Sequence, residues 1–151
     1  MQYLHDDAAI DANVILRYLL GKDQPFYAQA EAILEGVQRG DVVVHCDPVI
    51  LSEVVFVLHR SYGVSRQRLA EALSPVLMAE CFLLPNKPRY LLALRLFGGP
   101  VPHFGDACGC AAALEECEGR LFSFDKALSS VEGVQRREQP SQAGRRQPRH
   151  G

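Results

Sequence analysis

The stretch Ala8-Ala9-Ile10-Asp11-Ala12-Asn13-Val14-Ile15-Leu16 runs from small apolar residues, through one carboxylate, into a second apolar run. A strand over residues 7–10 that hands over at Asp11 to a helix over residues 13–20 is the opening unit of an α/β fold. Outward from it the alternation repeats. Pro25 opens a helix in which Ala28, Ala32, Ile33 and Val37 recur at helical spacing, and Gly36 and Gly40 weaken its end. Val42 to His45 reads as a second strand.

Asp47-Pro48 reads as a capping acid followed by proline in the first turn of a helix reaching about residue 62. That helix is apolar nearly all round, which places it in the core. Gly63 ends it, and Ser65 caps a helix to about residue 78. A third strand over 81–85, a helix over 90–97, a helix over 106–118 stopped by Gly119, a fourth strand over 120–124 and a weak fifth over 134–137 complete the pattern. The expected architecture is α/β, three layers α/β/α around a central, mainly parallel sheet.

A chain of 151 residues makes one domain and buries roughly 70% of its unfolded surface. Residues 1–139 are expected to form that domain, and 140–151 a disordered basic tail carrying Arg145, Arg146 and Arg149. No apolar run approaches the roughly 18 residues of a membrane span, and the N-terminus lacks signal-peptide regions. A cytoplasmic protein with no membrane partner is expected, its five cysteines reduced. Apart from the tail arginines, 13 basic residues stand against 18 acidic ones, a formal charge of −5. Such a body does not attract a polyanion over its whole surface, so cations and a local basic patch would have to hold one.

Four carboxylates sit in apolar surroundings: Asp11, Glu53, Asp106 and Asp125. Asp11 and Asp125 fall at the carboxyl ends of strands one and four, where ligands bind in open parallel sheets, and would face each other if those strands were neighbours. Glu53 has Val49, Ile50, Phe56 and Val57 as helical neighbours, so it is expected on a buried face, either in a shared pocket or paired with an arginine such as Arg17 or Arg95. Asp11, Asp106 and Asp125 could equally be helix caps. A cluster of carboxylates repels itself unless divalent cations occupy it, and all-oxygen donors select Mg²⁺ or Mn²⁺. Phosphodiester hydrolysis is the chemistry such a site suggests.

Ile10 to Leu16, Ser52-Glu53-Val54-Val55-Phe56-Val57-Leu58, the alanine-rich run Asp106 to Ala113, and Phe122-Ser123-Phe124-Asp125-Lys126 together resemble the four motifs of the PIN-domain family, in order and spacing. The resemblance is closest to the VapC-like toxins of bacterial toxin–antitoxin pairs. It implies a Rossmann-like PIN fold and metal-dependent cleavage of single-stranded RNA with Mg²⁺ or Mn²⁺. It further implies a homodimer and a cognate antitoxin protein. Asp11, Glu53, Asp106 and Asp125 would be its catalytic, metal-binding quartet, with Asn13 and Ser123 as polar residues that orient it. Departures are the acidic His5-Asp6-Asp7 before the first strand, Cys108 and Cys110 at aliphatic positions, and the basic tail.

Other readings compete. Asp11-Ala12-Asn13 and Gly105-Asp106 loosely echo a haloacid-dehalogenase-like phosphatase, but Asn13 cannot supply the proton which that chemistry needs. A non-catalytic PIN-fold module that binds a protein is the third possibility. Cys108, Cys110 and Cys117 lack the paired spacing of a zinc site and are expected to be buried thiols, and His103 an exposed loop residue.

Overall fold

The computed structural model describes residues 6–141. Residues 1–5 and the tail arginines Arg145, Arg146 and Arg149 lie outside the described residues.

Local chemistry sets most boundaries. Strand β1 (Asp6–Ala9) leads into α1 (Ala12–Leu20), which Asp11 caps by accepting from the Ala12 N–H at 2.8 Å. Helix α2 (Tyr27–Arg39) ends at Gly40 in the left-handed region, φ 87°, where glycine alone pays no steric penalty. Strand β2 (Val42–His45) precedes α3 (Pro48–Phe56), capped by Asp47 with Pro48 in the first turn. Ser65 Oγ accepts from the Arg68 N–H to start α4 (Arg66–Met78). Then follow β3 (Phe82–Leu83), α5 (Lys87–Phe97), α6 (Phe104–Glu116), β4 (Arg120–Phe122) and β5 (Gln135–Arg137).

β3 and β4 are shorter than expected and α5 starts earlier, at Lys87; three further boundaries differ, each for a physical reason. Helix α2 begins at Tyr27 rather than at Pro25, because Phe26 takes a left-handed conformation (φ 62°) before it. Helix α6 begins at Phe104, with His103 at the cap position, so Asp106 sits within the first turn and caps nothing. The long helix expected to reach residue 62 changes character after Phe56: Val57–Ser61 is a π-helix, in which Tyr62 N–H reaches back five residues to Val57 O.

All strand pairs are parallel, as the α/β alternation requires. They form two hydrogen-bonded groups, β1-β2-β3 and β4-β5. The anticipated neighbouring of strands one and four is therefore not a hydrogen-bonded pair among the described residues. Strand β1 carries Asp6 and Asp7 and all four of its residues are exposed, whereas the three-residue β4 is held by β5 and packs on α6.

The core is apolar. Leu51, Val54 and Val55 from α3 meet Ile15 from α1, Leu69, Leu73 and Leu77 from α4, Phe97 from α5 and Cys110 from α6. Each fully buried leucine stabilises the fold by about 1.5–3 kcal/mol relative to exposure. No described helix is long and apolar enough to cross a membrane.

The thiols divide by environment. Cys46 and Cys110 are buried, Cys81 and Cys108 intermediate, and all five cysteines are free. Cys117 is exposed at the end of α6, against the expectation that it shares a buried face with Cys110, because the helix ends there. Burial, with the neighbouring Asp47 carboxylate, pushes the Cys46 thiol from its ordinary 9.0 up to about 11. Between those two values the unfolded chain loses this proton and the native state keeps it, so stability falls as pH rises. The expected result is a urea midpoint that declines from about pH 9 to 11 in wild type, and less steeply in Cys46→Val. Equal slopes in the two proteins would contradict this assignment.

Candidate functional site

Helix α3 is the hub of the site, packing on both α1 and α6. These contacts pack α3, which carries Glu53, against α1, which Asp11 caps, and α6, which carries Asp106, while β4, which precedes Asp125, packs on α6.

Asp125 is held by its backbone. It caps the short 3-10 helix Lys126–Ser130, accepting from Ala127 N–H at 3.0 Å, while its own N–H donates to Ser123 Oγ at 3.1 Å. Arg136 braces the segment by donating to Ser123 O at 2.9 Å and Ser129 Oγ at 2.8 Å. Ser123 thus positions the Asp125 main chain rather than its carboxylate. Asn13 is exposed on α1.

Asp106, half-buried in the first turn of α6, makes no ion pair or hydrogen bond among the described residues. One helical turn further along, Cys110 is fully buried. Its thiol is raised first by burial, then by the negative charges of Asp106 and Asp125. Both carboxylates therefore lie close enough to one buried atom to act on it electrostatically. They share this neighbour, and no hydrogen bond or ion pair links them to each other among the described residues.

Glu53 and Asp11 stand differently. Glu53 is exposed, not buried, and pairs with neither Arg17 nor Arg95. Its helical neighbours Val49 and Phe56 are themselves 73% and 61% exposed. In a helix that is apolar nearly all round, residue type does not tell the covered face from the open one, and α1 and α6 cover the opposite side. Asp11 is exposed and spends one carboxylate oxygen on its cap. Among the described residues, no three His, Cys, Asp or Glu side chains form a ready-made metal cage.

The donor set still suits a hard cation. Asp106 and Asp125 offer oxygen ligands unpaired with any cation among the described residues. Mg²⁺ typically takes one or two carboxylates, keeps several waters and completes its shell with substrate phosphate oxygens. An open carboxylate pair meets that requirement better than it meets the closed six-to-eight-oxygen shell of Ca²⁺. The cysteines offer no softer alternative, since they join no group of three ligands among the described residues.

A cavity of about 240 Å³ lies between α3, the π-helix, the end of α5 and the start of α6. Ser52, Phe56, His59, Arg60, His103 and Phe104 line it. Sequence reasoning missed this pocket, although a consecutive His59-Arg60 pair ending a long apolar helix was a visible signal.

A family model described as PIN domain matches residues 8–134. No curated protein matches the chain. Members of that family are typically metal-dependent nucleases, which suits the carboxylate pair described above.

Proposed function

We propose that this chain, which belongs to the PIN domain family, hydrolyses phosphodiester bonds of single-stranded RNA in the cytoplasm, as the toxin of a toxin–antitoxin pair. The family match over residues 8–134, together with an Asp106 that has no structural partner in the first turn of α6, carries the reading. In it, Asp106 and Asp125 would hold Mg²⁺ or Mn²⁺, which when bound would supply Lewis-acid chemistry at a phosphate and lower the pKa of a bound water. Asp106 is free of structural duties, so its whole carboxylate is available to a ligand. Asp125 is aimed by a backbone that Ser123 and Arg136 hold. Asp11 keeps one carboxylate oxygen beyond its cap, and Glu53 stands in solvent, where it can take the proton of the attacking water. Asn13, beside Asp11, completes the polar surroundings.

A homodimer and a cognate antitoxin protein belong to the same proposal. The exposure of Val49 and Tyr62 along α3 and the segment after it supports them, since exposed apolar side chains favour a protein partner.

Cleavage of a labelled single-stranded RNA by the purified protein tests the reading. Activity is expected with Mg²⁺ or Mn²⁺, to vanish in EDTA, and to return when metal is restored in excess. Cleavage undiminished by EDTA would sink it, as would release of phosphate from small monoesters with RNA left intact.

A further inference from the structure

We infer that the cavity between α3, the π-helix and α6 is a subsite for one nucleotide flanking the scissile phosphate of single-stranded RNA, with Arg60 contacting its phosphate and Phe56 stacking on its base. The inference rests on the nuclease reading above and gives the substrate a place to sit.

Position argues first. Ser52 lines the cavity and is the chain neighbour of Glu53; Gly105 lines it and is the chain neighbour of Asp106. The cavity's lining thus runs directly into the two helical segments that carry Glu53 and Asp106. At about 240 Å³ it falls below the roughly 300 Å³ at which whole drug-sized ligands are accommodated, which suits a single base with its phosphate outside.

Charge argues second. An acidic body needs a local basic patch to hold a polyanion. Arg60 and His103 are exposed at this cavity, and neither is tied up in an ion pair among the described residues. Arg60 comes from the π-helix. Its last turn carries His59 and Arg60 into the same cavity that Val55 and Phe56 line from α3. A guanidinium can grip a phosphate with two parallel hydrogen bonds.

The walls argue third. His59 stacks edge-on against Phe97 at 5.6 Å, and Phe97 in turn against Phe104 at 5.8 Å. His59 Nδ1 donates to Val64 O at 3.0 Å, which fixes the ring and, in the neutral imidazole, leaves Nε2 as an acceptor. Against this fixed wall Phe56 stands 61% exposed, a platform of the kind on which bases of single strands stack.

Binding of a labelled single-stranded RNA of about ten nucleotides, followed by fluorescence anisotropy in EDTA over a salt series, separates subsite from chemistry because it needs no turnover. Arg60→Ala is expected to weaken binding about tenfold and to reduce the slope of log K against log salt by about 0.7, the loss of one phosphate contact on a single strand. Arg60→Lys keeps that slope. Phe56→Ala is expected to weaken binding on the order of tenfold with the slope unchanged, as loss of stacking would. Lys22→Ala, an exposed cation outside the cavity, is the control and leaves binding as it was. The inference is overturned if Arg60→Ala and Phe56→Ala bind like wild type, if Lys22→Ala weakens binding as much as they do, or if the wild-type protein binds no RNA. Metal-dependent cleavage by a protein whose binding ignores both variants would retain the nuclease and discard the subsite. RNA binding that responds as expected, without cleavage in any divalent metal, would do the reverse.

Discussion

Asp106→Asn is expected to lower RNA cleavage by about 10³-fold or more, well beyond the roughly 10–100-fold cost of losing a residue that merely supports a metal ligand. The fold should not suffer. Asp106 is half-buried, caps no helix and makes no ion pair among the described residues, so its removal should change stability by no more than about 0.5 kcal/mol. The replacement keeps shape and hydrogen-bonding capacity and deletes only the charge that attracts the cation. Cleavage rates at saturating Mn²⁺, with a thermal melt of the same preparation, make the measurement. A fully active Asp106→Asn enzyme would remove this residue from the site.

The second large effect is on stability. Gly119→Ala is expected to destabilise the protein by about 3 kcal/mol, combining the cost of an alanine in the left-handed region with overpacking. Gly119 has φ 85°, and a methyl group there would land on the carbonyl oxygen of Gly133, which is backbone and cannot swing aside. The same residue ties α6 to the second sheet: its N–H donates to Ala113 O at 2.8 Å and its carbonyl accepts from Gln135 N–H at 2.7 Å. Forcing it apart loosens the β4-β5 pair from which Asp125 is presented. Gly109→Ala is the contrasting case. It lies inside α6, its added methyl would meet only Leu121 at an ordinary 3.9 Å, and it should gain up to about 1 kcal/mol in helix propensity. Urea unfolding of the two variants gives the comparison. Equal stabilities would mean that the junction yields more easily than its geometry implies.

Much of the architecture is legible in the chain because local chemistry writes it. Asp47-Pro48, Ser65 and Gly40 mark helix ends by the groups they satisfy, and the alternation of strands and helices carries the parallel order. The π-helix is not legible: an i→i+5 bond at Tyr62 has no residue-type signature of its own. The Asp106 and Glu53 expectations exchanged weight for the same kind of reason. Phe104-Gly105-Asp106 looks like a capping acid, yet the helix starts two residues earlier and leaves the carboxylate without a structural task. Glu53 looks buried among apolar neighbours, yet tertiary packing chose the other face of α3. Which side of an apolar helix is covered depends on elements distant in sequence.

The division into two sheets also makes sense of the acidic opening strand. On the side of β1 away from β2, backbone donors and acceptors have no strand partner among the described residues, and β5 likewise pairs with β4 alone. Such margins invite a second molecule to zip on by main-chain hydrogen bonds, the first step of aggregation. Asp6 and Asp7 at one margin and Arg136 and Arg137 at the other put charges along them. Two copies meeting β1 against β1 would bring like-charged strands together, with each Asp7 already engaged by His45 of β2 at 2.7 Å. The pair of aspartates that makes the first strand look unpromising thus guards it against its own copies in a crowded cell.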